Sequence, residues 1–237
     1  MKSSTLILAS AFMMSLSNTG FAKNRGSFCF QKHILESISI NKARQEVYSK
    51  LTDGKSHPIY RELIAYERLS LTVATFFDLK ALRYQKAGIN IFCKEFKDLI
   101  QAPSLLNSKP LEAFSAVSTK PIEQKISAAL KTKNTEVVKK ASLEILEELK
   151  TQPSYYCLSR HFIESIYRFA HFAPVWSKQA QEKGLKDPSK MIFKVMKLHA
   201  LGLKGTFAID RKSQPIQAKG IPMLCAEIPD LLEDIHF

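Results

Sequence analysis

Residues Pro58–Gly88 read PIYRELIAYERLSLTVATFFDLKALRYQKAG, and the spacing of their apolar side chains decides the fold class. Ile59, Leu63, Tyr66, Ser70, Val73, Phe77, Ala81 and Tyr84 alternate steps of four and three, the pattern of a helix seam packed along a neighbour. Pro58 suits a first helical turn and Gly88 suits the position just past a helix end. Ile64, Leu71 and Leu82 add a second apolar flank. The reading is an all-α, single-domain helical bundle around this long central helix, at about 58–87.

Working outward, the same period predicts a first helix over Lys42–Leu51, ending at Asp53-Gly54, and a short one over Ile91–Gln101, stopped by Pro103. Ser104–Lys120 mixes serines, prolines and short apolar pieces and reads as a loop crossing the bundle. Helices return at Pro121–Lys131 and Thr135–Thr151, the second capped by Asn134 and supported by Glu136 four residues before Lys140. Pro153 starts the next helix, and Pro174 ends or kinks it. Another runs from Pro188 to Leu201, capped by Asp187 and stopped near Gly202 or Gly205. Gly205–Asp210 and Gln214–Ala218 have β-permissive character that admits a small hairpin near 205–218. Ile221–Cys225 leads into a final short helix near Asp230–His236. The chain shows no internal repeat of fixed period and no linker that divides it convincingly.

The first residues, MKSSTLILASAFMMSLSNTGFAKN, have the build of a secretory leader. Lys2 supplies a positive start, Leu6–Leu16 is too short to span a bilayer, and Gly20-Phe21-Ala22 places cleavage after Ala22. The expected mature domain is 23–237, periplasmic or secreted, with no later transmembrane segment. Four cysteines, Cys29, Cys93, Cys157 and Cys225, are too far apart for a zinc knuckle or a redox motif. In an exported chain they predict two disulfides, with three pairings open.

The net charge of +13 points to acidic partners. For an exported chain these are an acidic protein, an anionic membrane surface or an envelope polymer, and not nucleic acid. Lys190, Lys194 and Lys197 line one face of the Pro188–Leu201 helix, with Lys204 just beyond it. Met191, Ile192, Phe193, Val195, Met196, Leu198 and Leu203 cover most of the remainder. A basic amphipathic helix of this kind suits an anionic surface. An acidic stretch after Gly220 is placed to neutralise it. His199 falls within the apolar arc, where a hydrogen-bonded core histidine is expected.

The second candidate site is SRHFIESIYRFAHFAPVW, Ser159–Trp176. On a wheel of about 100° per residue, His161, Glu164, Arg168 and His171 share one side with Cys157. Phe162, Ile163, Ile166, Phe169 and Ala170 take the other. The expectation is a solvated face with a Glu164–Arg168 pair. The alternative is a metal-binding or acid/base bundle using His161, Glu164 and His171, with carboxylates from the long helix, where Tyr60, Glu67 and Asp78 share a flank opposite Arg61 and Arg68. Those carboxylates are expected to be exposed. No nucleophile elbow, metalloprotease helix, phosphate loop, dinucleotide fingerprint or calcium loop occurs, so no cofactor and no resident metal are expected. The sequence therefore favours an exported helical binding protein over an enzyme.

Overall fold

A computed structural model describes residues 28–51, 58–93, 119–150 and 156–217, and every regular element among them is helical. The helices are α1 (Cys29–Leu51), α2 (Pro58–Lys86), α3 (Thr119–Lys131), α4 (Thr135–Lys150), α5 (Cys157–Glu182) and α6 (Ser189–Gln217). The leader, residues 94–118, Pro153, the acidic C-terminal stretch with its expected helix, and Cys225 lie outside the described residues.

α1 and α2 form one antiparallel hairpin and α5 and α6 another, while α4 lies along α5 and α3 against α6. The helix expected from Pro58 ends where Gly88 takes a left-handed φ of 81°. The Ile89 N–H there bonds back to the Tyr84 carbonyl at 2.9 Å, a glycine-terminated helix end. Asn134 caps α4 as expected, its Oδ1 accepting from the Glu136 and Val137 N–H groups at 2.9 and 3.4 Å. Asp187 does the same for α6 through the Ser189 N–H at 2.9 Å.

Several expectations are corrected. α1 begins thirteen residues earlier than Lys42, at Cys29. Residues Ile91–Cys93 form a turn, not the start of a helix. Glu136 pairs with Lys139, the residue before Lys140. α5 continues through Pro174 to Glu182.

The hairpin near 205–218 is absent. α6 runs straight through Gly202 and Gly205 to Gln217, because Leu203, Thr206, Phe207, Asp210 and Ser213 are all buried and recur at helical spacing. Three of these five are polar, so a reading by hydrophobicity alone breaks the stripe.

The structure also reveals a repeat. Cys29, His33, Glu36, Ser37 and Ile38 recur, in order and spacing, as Cys157, His161, Glu164, Ser165 and Ile166. Leu69, Leu71, Asp78, Lys80, Gln85, Gly88, Ile89 and Cys93 recur as Leu201, Leu203, Asp210, Lys212, Gln217, Gly220, Ile221 and Cys225. Burial follows the same correspondence: Leu63, Ile64, Ala74, Phe77, Ala81 and Tyr84 on α2 match Val195, Met196, Thr206, Ile209, Ser213 and Ile216 on α6, all buried. The two helical hairpins are therefore copies of one unit. They meet about an approximate twofold axis, since the equivalent residues His33 and His161 touch each other and α2 runs antiparallel to its equivalent α6, as in an isologous interface. His33 and His161 stand on that axis with their Nε2 atoms 3.0 Å apart. α2 and α6 run antiparallel beside it, tied at one end by Lys212–Glu62 at 2.6 Å. At the other end the Tyr84 hydroxyl donates to the Lys186 carbonyl at 2.8 Å.

Each copy starts its first helix in the same way. Phe28 and Tyr156 have no oxygen suited to capping, and the carboxylate comes from the partner helix instead. Asp78 accepts from the Phe30 and Gln31 N–H groups at 3.2 and 2.7 Å. Asp210 accepts from the Leu158 and Ser159 N–H groups at 3.1 and 2.9 Å, and from the Ser159 hydroxyl at 2.7 Å. Beside the first of these caps, Cys29 is joined to Cys93 across 64 residues. Cys157 is disulfide-bonded as well.

Candidate functional site

The polar side of Ser159–Trp176 does not face water. His161, Glu164 and Arg168 are 8%, 2% and 2% exposed. α5 packs along α4 and α6, and α1 meets it at His161 through His33. Glu164 pairs with Arg160, at 3.1 Å, and not with Arg168. Lys32 and Glu36 repeat this pair in the first copy, at 3.4 Å. The Arg168 guanidinium instead lies over the Phe172 ring, 5.6 Å from its centre.

His171 parts company with His161. Its ring stacks on Tyr167, 6.1 Å away, and burial with the nearby Lys139 charge holds its pKa below the usual imidazole value. That places it on the α4 side, whereas His161 meets α1. The set His161, Glu164 and His171 therefore shares no single site. Among the described residues no three His, Cys, Asp or Glu side chains converge as metal ligands.

Where sequence reasoning paired His161 with its own helix, the structure pairs it with His33, a residue 128 positions away. The two rings stack with centres 5.2 Å apart. One Nε2 donates to the other, so the accepting ring is neutral, and burial disfavours charge on the donating one. Burial pushes His33 down to about 3, assisted by His199. Burial likewise holds His161 well below the ordinary value, assisted by His33, His199 and Arg160. His199 is the core histidine its apolar arc implied. Its Nδ1 lies 3.0 Å from the Val195 carbonyl and its Nε2 3.3 Å from the Ser165 hydroxyl, and burial lowers it to about 4.

Glu67 and Asp78 are buried, contrary to expectation, as is Tyr60 on the same flank, while Arg61 and Arg68 are exposed. Asp78 serves the helix cap. Glu67 accepts from the Ser37 hydroxyl and from Asn41 Nδ2, the latter at 2.8 Å. Sequence reading missed His33, and the signal that would have found it is the repeat itself, since His33 and His161 occupy equivalent positions.

The α6 lysines are where the sequence put them. Lys190, Lys194, Lys197 and Lys204 are all exposed, and none forms an ion pair among the described residues. Leu201, in the middle of that face, is 78% exposed. Its counterpart on α2, Leu69, is 75% exposed and is followed by exposed Val73, Phe76 and Leu79. Lys80 lies over the Phe76 ring at 4.1 Å. Exposed apolar side chains thus stand on both of two antiparallel neighbours, and on α6 they lie among lysines. No helix among the described residues is long and apolar enough to cross a membrane. Compared with known proteins, the chain matches no family model, no curated protein and no solved structure.

Proposed function

We propose that the chain is an exported protein that binds an anionic membrane surface through the α2–α6 face. The observation that carries this reading is Leu201, exposed among Lys190, Lys194, Lys197 and Lys204, themselves exposed and unpaired among the described residues, with Leu69, Val73 and Phe76 exposed on the neighbouring α2. Apolar side chains of this size insert at the headgroup boundary, and each nearby lysine adds about 1 kcal/mol on an anionic leaflet. An acidic protein or a sugar polymer would use the lysines and leave the leucines in water. The cationic, short-cored leader and the cysteine pairing support an oxidising, exported setting.

The test is co-sedimentation with phosphatidylcholine vesicles, with and without phosphatidylglycerol. Binding is expected only with the anionic lipid and weakens as salt is raised. Replacing the four lysines with Gln lowers affinity by roughly a thousandfold, at about 1 kcal/mol per lysine. Leu69→Ser with Leu201→Ser weakens it without changing the salt dependence. Equal binding to both vesicle types, or none, overturns the reading; none, with retention on an acidic envelope polymer, transfers the lysines to that partner.

A further inference from the structure

Beneath that face, between α1, α2, α5 and α6, lies a cavity of about 200 Å³ on the approximate twofold axis. We propose that it is a binding site for a small uncharged aromatic molecule bearing one hydrogen-bond donor, the class of phenol or indole. The proposal is independent of membrane binding.

Size and lining set the class. An apolar cavity of about 150 Å³ holds one benzene, so this one holds a single ring and a substituent. Phe30, Phe77 and Phe162 supply aromatic walls, with Leu63 and Val195 completing the apolar surface. Val73 and Leu198 line the opening and are partly exposed, 38% and 42%, so the route in passes between α2 and α6. The lining contains no Lys or Arg and one carboxyl, Glu67, which disfavours an anion.

The floor is polar. His161 lines the cavity, uses Nε2 on His33, and keeps its Nδ1 buried without a hydrogen-bond partner. It adds a polar group beside those that orient the ligand.

Comparison of the two copies shows how a ligand is oriented. Tyr66, Glu67 and Ser70 line the cavity from the first copy. Their equivalents in the second are Leu198, His199 and Gly202. A symmetric pocket would take a ligand in two orientations, whereas this one offers hydroxyls and a carboxyl on one side and apolar and aromatic groups on the other. A phenol O–H or indole N–H facing Glu67 and Tyr66, with the ring against Phe162 and Leu198, uses both sides.

The experiment is titration of the disulfide-intact chain with phenol, indole, toluene, benzoate and benzylammonium, followed by two-dimensional NMR and calorimetry. Phenol and indole are expected to saturate, with shifts centred on the lining residues, and to bind at least tenfold tighter than toluene, benzoate or benzylammonium. Ser70→Phe fills the cavity and abolishes binding. Glu67→Gln, which preserves shape, weakens phenol several-fold and leaves toluene unchanged, so the proposal survives a folding failure of the first variant. No saturable binding, shifts confined to the surface, or tighter binding of either ion overturns it.

Discussion

At the scale of single residues, the fold holds two opposed sets of buried titrating groups. Asp78 and Asp210 are pushed up to about 7, chiefly by burial and against the pull of the N–H groups they cap. A carboxyl that is proton-bound in the fold and ionised in the unfolded chain costs stability as pH rises from about 4 to about 7. His33, His161 and His199 act the other way, since burial holds all three below 6.5. Their unfolded forms gain protons that the fold refuses, so stability is lost as pH falls below about 6.5. Between pH 6 and 5 the unfolded chain holds nearly three protons on these histidines and the fold holds about two on the carboxyls. The native protein should therefore lose only about 1.4 kcal/mol per pH unit on acidification, the slope of one proton. The double variant Asp78→Asn, Asp210→Asn removes the compensating carboxyls, and its stability should fall about three times as steeply over the same interval. Urea unfolding at pH 6 and pH 5 measures both slopes; identical slopes would show that the carboxyls do not hold those protons. Of these groups only His199 was legible in the sequence; Asp78 looked like a surface acid and His161 like a wet one, because burial here depends on contacts from distant helices.

At the scale of elements, the close approach of α6 to α2 depends on one glycine. A Cβ at Gly202 would sit 2.5 Å from the Tyr66 hydroxyl and 3.0 Å from the Phe162 ring. Neither ring end yields readily, since Tyr66 packs against Phe162 with centres 6.4 Å apart. Gly202→Ala should lower stability by about 1–2 kcal/mol, overpacking outweighing the helix propensity gained. Adding Tyr66→Phe removes the nearer atom and should restore at least half of that loss, a coupling that a thermal or urea double-mutant cycle reads directly. Additive losses would mean that the two residues do not meet. The sequence gives Gly202 as a stop signal, which is its usual meaning near the end of an apolar stripe; here its lack of a side chain serves packing instead. Local caps were legible: Asn134 and Asp187 satisfy N–H groups within three residues of themselves. The caps from Asp78 and Asp210 were not, because each serves a helix 47 or more positions away.

At the scale of the molecule, helix class was readable from periodicity, but the plan of the chain was not. The two copies share few identical residues, concentrated where a cysteine, a capping carboxylate, an axial histidine or a turn glycine is required. A search for a fixed period misses them, because the cysteine separation is 64 in the first copy and four residues longer in the second. Within each copy the disulfide and the capping aspartate hold the same helix end. Cys29 opens α1, and Asp78 accepts from the next two N–H groups. Closing a loop of 64 residues stabilises by about 4 kcal/mol in the chain-entropy account. Cys29→Ser with Cys93→Ser should therefore lower unfolding stability by roughly that amount, and Asp78→Asn alone by about 1 kcal/mol. Combined, they should cost less than their sum. Without the cross-link the first turn of α1 frays in the folded state, and a cap on a frayed turn has less to lose. Strict additivity in urea unfolding of the three variants would show that staple and cap act on separate parts of the hairpin.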